Sequence, residues 1–456
     1  MASAASVPPH RPDGRHDALP LPTTMADVVA LLLRQVAQDA ALLPCRDLQR
    51  CAQVSRCWRA AARRTVGYCV GSLEGSEREG RRTCVEALAF VPAHASAGGD
   101  VVADGSTAAR TEAVPALPPA LREGAQWAAT VAAGCTDGSA HLWGLQSQLW
   151  TGEVPRPPPV FMGGAVYALA YLPTQRWLAA GSYDASIKLW DLESQLEVGV
   201  LRGHTNWVNA LLHLPEWDWL ASGSADNTVL LHDPTTRTIV GVVAGHHFEP
   251  VHALALLPRS RLLASGSADG TVKVFEIPPP TDVDHHSAGV ETSEETGEER
   301  WSRAALKPRC CSTLAGHAAT VRAVVGISSF CSDLLASGSR DGTIRLWEPH
   351  DSTPLAVVVP DDAPKSVVYA LSWVSTSCYL AAGSMDGAVR LFAVAETARA
   401  NGRTVGVSVA AVATLSAHSG WVTSLVCLGD GEGPAGAGGM MLASGSHDCS
   451  VRIWAV

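Results

Sequence analysis

The sequence predicts a mainly β protein, a seven-bladed β-propeller carrying a small α-helical domain at its N-terminus. Three observations lead there: a hairpin-like stretch recurs seven times, the aspartate in its turn returns at close to 42 residues, and an apolar stripe of helical period precedes the first repeat. A repeat of that length is the signature of a four-stranded propeller blade.

Residues 334–347, LLASGSRDGTIRLW, show the unit most clearly. A β-prone run leads into Asp341-Gly342, and a second run, TIRLW, leads out. Asp-Gly between two such runs is a strong hairpin signal, because glycine takes positive φ at no steric cost. Ile344 and Leu346 alternate with Arg345 and Trp347, the period of a strand with two unlike faces. Related stretches end at Trp143, Trp190, His232, Phe275, Phe392 and Trp454. The seven turn aspartates, Asp137, Asp184, Asp226, Asp269, Asp341, Asp386 and Asp448, lie 47, 42, 43, 72, 45 and 62 residues apart. The widest intervals mark insertions.

These repeats resemble the WD-repeat family: Gly-His before the first strand, a Ser/Asp turn, and Trp six residues after the Asp. The resemblance spans roughly residues 65–456. It implies a hydrogen-bonded set of Asp, His, strand Ser or Thr and Trp that locks a blade. The Gly-His histidine would be His204, His246 and His317 in repeats three to five, with His418 in repeat seven. Ser222, Ser265, Ser337 and Ser444 stand four residues before the aspartates of those repeats, and Ala133, Ala180 and Ala382 hold that place where the histidine is missing. A buried Ser or His without its partner costs about 1–3 kcal/mol, so the two come and go together. They read as structural residues, neither catalytic nor metal-binding.

Composition narrows the classes. With 47% hydrophobic and 17% charged residues, the chain suits a well-buried β protein and not a disordered one. It has no apolar run long enough for a membrane span, and its first 20 residues lack the apolar core of a secretory signal. A net charge of −10 argues against general nucleic-acid binding. The 12 cysteines have neither metal-ligand nor disulfide-framework spacing; several, Cys84, Cys135 and Cys427, are expected in apolar strands and read as packing residues of a reducing compartment.

Residues 1–20 read as a disordered tail. Beyond them Met25, Val28, Val29, Leu32, Leu33 and Val36 form one apolar helical stripe, and residues 47–64 are helical and basic. Residues 21–64 resemble an F-box: Leu21-Pro22, then Met25, Val29 and Leu33, then Asp47-Leu48, Val54-Ser55 and Trp58-Arg59, with a longer stretch between the halves than that family has. The resemblance implies that Leu21, Pro22, Leu33, Leu48, Val54 and Trp58 meet a Skp-type adaptor of a cullin–RING ubiquitin ligase or form the core beneath it. A helical cap on the propeller is the other reading.

The propeller is expected over residues 65–456. The chain stops at IWAV with three strands of its last blade written, so residues 65–72 are expected to supply the fourth and remove an open sheet edge. Long loops are expected at 92–125 and 429–439, between first and second strands, and at 277–308, after the third strand of blade four. Family topology puts all three on the lower face and leaves the upper face clear.

On that upper face the resemblance places two positions per blade. The turn residues before Asp are Thr136, Tyr183, Ala225, Ala268, Arg340, Met385 and His447; the strand-start residues are Glu86, Tyr167, Asn209, His252, Arg322, Tyr369 and Thr423. The candidate substrate-binding residues are Arg322, Arg340, Tyr183, Tyr369, Trp207 and Trp421. In F-box/WD-repeat receptors arginines in these positions grip a phosphorylated degron, since guanidinium forks match phosphate oxygens. A Tyr- and Trp-rich face with one arginine pair equally fits an unmodified peptide. No nucleophile–base set, metal-ligand spacing or cofactor loop is present, so neither catalysis nor a cofactor is expected. The expected function is the substrate-recognition subunit of a Skp–cullin–F-box E3 ubiquitin ligase; the alternative is a WD-repeat scaffold without a ligase link. Either would reside in the cytoplasm, the nucleus or both.

Overall fold

The second strand of each repeat reads as an unbroken apolar-and-small run because both its faces are covered. Thr130–Cys135, Trp219–Ser224, Leu262–Ser267 and Leu334–Ser339 are buried at every residue. Outward from them the pattern changes. Arg309–Ala315, a fourth strand, alternates between exposed and partly buried side chains until Leu314, as a strand with one solvated face should.

The computed structural model describes residues 68–74, 77–78, 81–92, 130–144, 160–161, 164–278, 306–328, 333–360, 365–400, 403–416, 418–428 and 441–456. The chain divides into two compact units, Met1–Thr65 and Val66–Val456. The first of these lies outside the described residues, and with it the disordered-tail and F-box expectations, Leu21, Pro22, Leu33, Leu48, Val54 and Trp58 included. So does most of the three expected loops.

Within the second unit, four-stranded antiparallel sheets form seven blades: residues 85–161, 166–201, 208–243, 251–315, 321–358, 368–416 and 422–455. Blade seven takes its outer strand from the other end of the chain. Tyr68–Glu74 pairs with Ser450–Ala455, Tyr68 opposite Ala455 and Glu74 opposite Ser450. The sequence places this strand at 65–72; among the described residues its ladder runs from Tyr68 to Glu74.

Among the described residues the core is divided. Apolar clusters lie between neighbouring blades, as where Ile327, Ile344 and Leu346 of blade five meet Val368, Leu380 and Phe392 of blade six. The glycine one residue from the end of each second strand makes this approach possible. A Cβ on Gly338 would fall 2.5 Å from Cγ1 of Val368, and one on Gly445 2.6 Å from Cγ1 of Val85, which closes blade seven on blade one. Only a residue with no side chain fits.

Polar ties join the lower turns. Oδ2 of the buried Asp333, at the base of blade five, accepts from the Arg259 and Ser260 amides at 2.9 and 2.7 Å and from the Ser260 hydroxyl at 2.8 Å, all on blade four. Blade four's chain also returns past Leu306, whose N–H and C=O bond to Val240 and Val242 on the outer strand of blade three.

One element escapes the sequence reading. The outer strands of blade six, Ala388–Ala400 and Arg403–Ser416, are 13 and 14 residues long and pair along their whole length. They account for excess in the 62-residue spacing that the 429–439 loop alone does not fill. Asn401-Gly402, the hairpin pair lying between them, is the signal that marks it.

Candidate functional site: the upper face

Hydrogen-bonded tetrads hold the upper turns. In blade five His317 Nδ1 lies 3.0 Å from Asp341, His317 Nε2 lies 2.8 Å from the Ser337 hydroxyl, and Trp347 Nε1 lies 2.8 Å from the same hydroxyl. The ends set the direction, since an indole N–H only donates and a carboxylate only accepts. Trp347 therefore donates to Ser337, Ser337 to His317, and His317 to Asp341, a chain that needs a neutral imidazole. Burial lowers the His317 pKa and so favours that form. Burial opposes the Asp341 charge, yet hydrogen bonds from Thr343, Ala318 and His317 hold its pKa at about 2. Blade seven repeats the tetrad with Asp448, His418, Ser444 and Trp454.

Other blades vary it. In blade three His232 replaces the tryptophan, with Nε2 3.0 Å from the Ser222 hydroxyl. Burial, and after it the neighbouring His204, push its pKa down to about 3, leaving a neutral ring that donates as an indole would. In blade four Phe275 offers no donor, and the tetrad histidine is His247, not His246: His247 sits 2.8 Å from Asp269 and 2.7 Å from Ser265. The constant is the distance back from the first strand. His204, His247, His317 and His418 each stand four residues before a valine (Val208, Val251, Val321, Val422), whereas His246 stands five before and packs edge-on against Phe275. In blade six, without the histidine, the buried Arg390 forks onto Asp386 at 2.5 and 3.2 Å.

On this frame every blade presents one side chain by the same device. The first-strand ladder slips by one residue just after its opening valine, at Val85/Ala87, Val166/Ala168, Val208/Ala210, Val251/Ala253, Val321/Ala323, Val368/Ala370 and Val422/Ser424. The skipped residues are Glu86, Tyr167, Asn209, His252, Arg322, Tyr369 and Thr423, all half-buried. A β-bulge re-aims its extra side chain. Seven bulges make a ring of seven.

The six candidate residues fall into two groups. Tyr183 and Trp207 stack at 4.5 Å, joined by Tyr167 at 6.4 and 6.1 Å, and are 50% and 40% exposed. Across the ring Arg322 lies over Tyr369 at 5.6 Å, Tyr369 stacks on Trp421 at 5.6 Å, and Trp421 stacks on His447 at 4.9 Å. His447 then meets Glu86 at 2.9 Å, a bond that raises the His447 pKa. Arg340 is exposed beside Arg322, its charge acting on it.

Arg322 is the unusual member. Its Nη1 donates to His252 Nδ1 at 3.4 Å, while its Nε is buried without a hydrogen bond. Burial lowers the Arg322 pKa, and burial with the Arg322 charge brings His252 to about 4, so that ring is neutral and accepts. Among the described residues no carboxylate forms an ion pair with Arg322 or Arg340. Asp386, on the neighbouring turn, is taken by Arg390.

The sequence reading leaves Phe248 out of the site. It is 80% exposed in the upper lead-in to blade four, one residue after the tetrad histidine. Counting back from Val251 would have found it. Among the described residues no three His, Cys, Asp or Glu are placed to hold a metal, and no helix is long and apolar enough to cross a membrane.

A ring of four-stranded blades, two of them tied by complete Asp–His–Ser–Trp chains, with varied side chains on one face, defines a repeat propeller, an architecture typical of interaction scaffolds. The family model "WD domain, G-beta repeat" matches residues 159–191, 196–233, 237–276, 308–348, 357–392 and 410–455, just over half of the sequence. The chain belongs to the WD40 repeat family. Blade one lies almost wholly ahead of the matched segments and is supplied by the structure. Among solved structures, the crystal structure of the WD40 β-propeller domain of Doa1 is similar, with a TM-score of 0.55 at 17% identity over 86% of this chain and 97% of that one. That likeness is one of fold. A comparison with curated protein sequences found no match.

Proposed function

We propose that the propeller captures an acidic segment of a partner protein, phosphorylated or unmodified, on its upper face, with Arg322 and Arg340 as the anion grip. The observation that carries this reading is the half-buried Arg322, whose Nε lacks a partner. A guanidinium N–H buried without an acceptor is costly, and with Glu86 acting on Arg322 but bonded to His447, a carboxylate or phosphate from a partner supplies the missing acceptor. Trp421 and Tyr369 flank the grip, and Tyr183 and Trp207 offer an apolar anchor elsewhere on the ring; Tyr, Trp and Arg are the residues that concentrate binding energy. The finer reading is that residues 21–64 dock on a Skp-type adaptor, which would make the chain a substrate receptor of a cullin–RING ubiquitin ligase. The sequence motif from Leu21 to Arg59 supports it.

Two measurements test these separately. The full chain is probed against a peptide array carrying matched phosphorylated, acidic and neutral sequences, with Arg322→Ala and Arg340→Ala beside the wild type. Anionic peptides should be retained and should weaken about 10- to 100-fold in either variant; retention that ignores both arginines would refute the grip. A pull-down with purified Skp adaptor, using Trp58→Ala and Leu48→Ala as controls, tests the ligase link. Failure of the wild type to bind leaves a scaffold propeller.

A further inference from the structure

The seam between blades seven and one is tied by side chains: the Thr423 hydroxyl donates to the Val85 carbonyl at 2.6 Å, and the Leu88 amide donates to the Ser424 hydroxyl at 2.9 Å. Two thiols sit at its upper edge. Cys84 is the residue before Val85, just ahead of the first strand of blade one and not in it. Cys449 follows the turn Asp448 of blade seven. Both sulfurs approach one acceptor, the His447 carbonyl oxygen, at 3.4 Å for Cys84 and 3.6 Å for Cys449, which brings the two thiols to a single atom.

Cys449 occupies a place that suits glycine. Its φ is 69°, in the left-handed region, where blades one, four, five and six have Gly138, Gly270, Gly342 and Gly387. A Cβ is disfavoured in that conformation. At this turn position a Cβ points at the lead-in of the next blade: on Gly387 it would fall 2.5 Å from the His418 carbonyl, and on Gly138 2.8 Å from the Gly164 carbonyl. For Cys449 the next lead-in is that of blade one, which carries Cys84.

We infer that Cys84 and Cys449 are an oxidation site, a thiol pair that closes to a disulfide across the blade seven–blade one seam when a peroxide is supplied. One thiolate attacks the peroxide. An S–O bond forms, the O–O bond breaks, and the hydroxide released takes up a proton as water. The second thiolate then attacks that sulfur; the S–S bond forms, the S–O bond breaks, and a second water leaves. Each sulfur is oxidised by one electron and the peroxide is reduced by two. In the structure both are free thiols. Burial and the charges of Glu86 and Asp448 raise the Cys84 pKa, so cross-linking runs faster at alkaline pH. Cys135, close by, is fully buried with its thiol pushed up to about 12 and stays out of the exchange. The cross-link would enclose almost the whole ring in one covalent loop.

The full-length chain is treated with hydrogen peroxide, its remaining thiols are alkylated, and its peptides are mapped by mass spectrometry. The expected product is a Cys84–Cys449 linked peptide that dithiothreitol abolishes and that is missing from Cys84→Ser and Cys449→Gly. The oxidised wild type should melt about 5 °C higher than the reduced form. Cys449→Gly keeps the turn that four other blades use, so it should fold and show no such rise. Recovery of both cysteines alkylated after peroxide, or singly oxidised, or paired elsewhere, overturns the inference.

Discussion

Replacing His232 with phenylalanine should reverse the order of stability between neutral and acidic solution. His232 is buried with a folded pKa of about 3, against 6.5 for the free side chain. A histidine depressed in this way contributes stability that is fully present above 6.5 and is lost as pH falls toward 3, because only the unfolded chain takes up the proton. Between pH 7.5 and pH 4.5 that loss amounts to about 2–3 kcal/mol. Phenylalanine removes it and sacrifices one hydrogen bond to Ser222, about 1 kcal/mol. Blade four already carries Phe275 at this place beside His247 and Ser265. In urea unfolding followed by tryptophan fluorescence, His232→Phe should therefore be the weaker protein at pH 7.5 and the stronger at pH 4.5. The buried histidines of the other blades are common to both proteins and cancel. Denaturation midpoints that fall in parallel with pH would refute the buried, neutral state of His232.

Two further substitutions probe the frame. Gly338→Ala puts a methyl 2.5 Å from Val368 and should cost about 1–3 kcal/mol, read as a lower melting temperature; an unchanged melt would mean the blades do not meet there as closely as described. Asp333→Ala strips the acceptor from three donors on blade four and should cost about 3 kcal/mol, with faster hydrogen exchange at the Ser260 amide than at the upper turns. Unaltered protection at Ser260 would show that the Asp333 tie is dispensable.

The repeats were legible because each turn keeps its Asp, followed by Gly in four blades, and a doubly buried strand needs small and apolar residues; both demands leave their mark locally. The pairing of Ser with His was readable for the same reason, each being costly alone. What the sequence concealed lies in register. His246 and His247 are adjacent and chemically identical, and only the four-residue lead-in to Val251 tells them apart. The blade-six hairpin hid behind a nearby loop that explained part of the same spacing. The upper-face residues were readable as positions, but their division into a Tyr183–Trp207 group and an Arg322–Tyr369–Trp421 group depends on ring distances that no one-dimensional pattern carries.

The slipped first-strand ladder has a consequence for how such a protein can change. At each of the seven slips the backbone does the aiming, and the side chain aimed is free to be almost anything; Glu, Tyr, Asn, His, Arg and Thr all occupy the position. What folds the ring and what its bulges display are thus written in separate places, the first in the valine, glycine and aspartate of every blade, the second in one residue beside them. Seven letters on that face can be rewritten while the sentence that folds the ring stays intact.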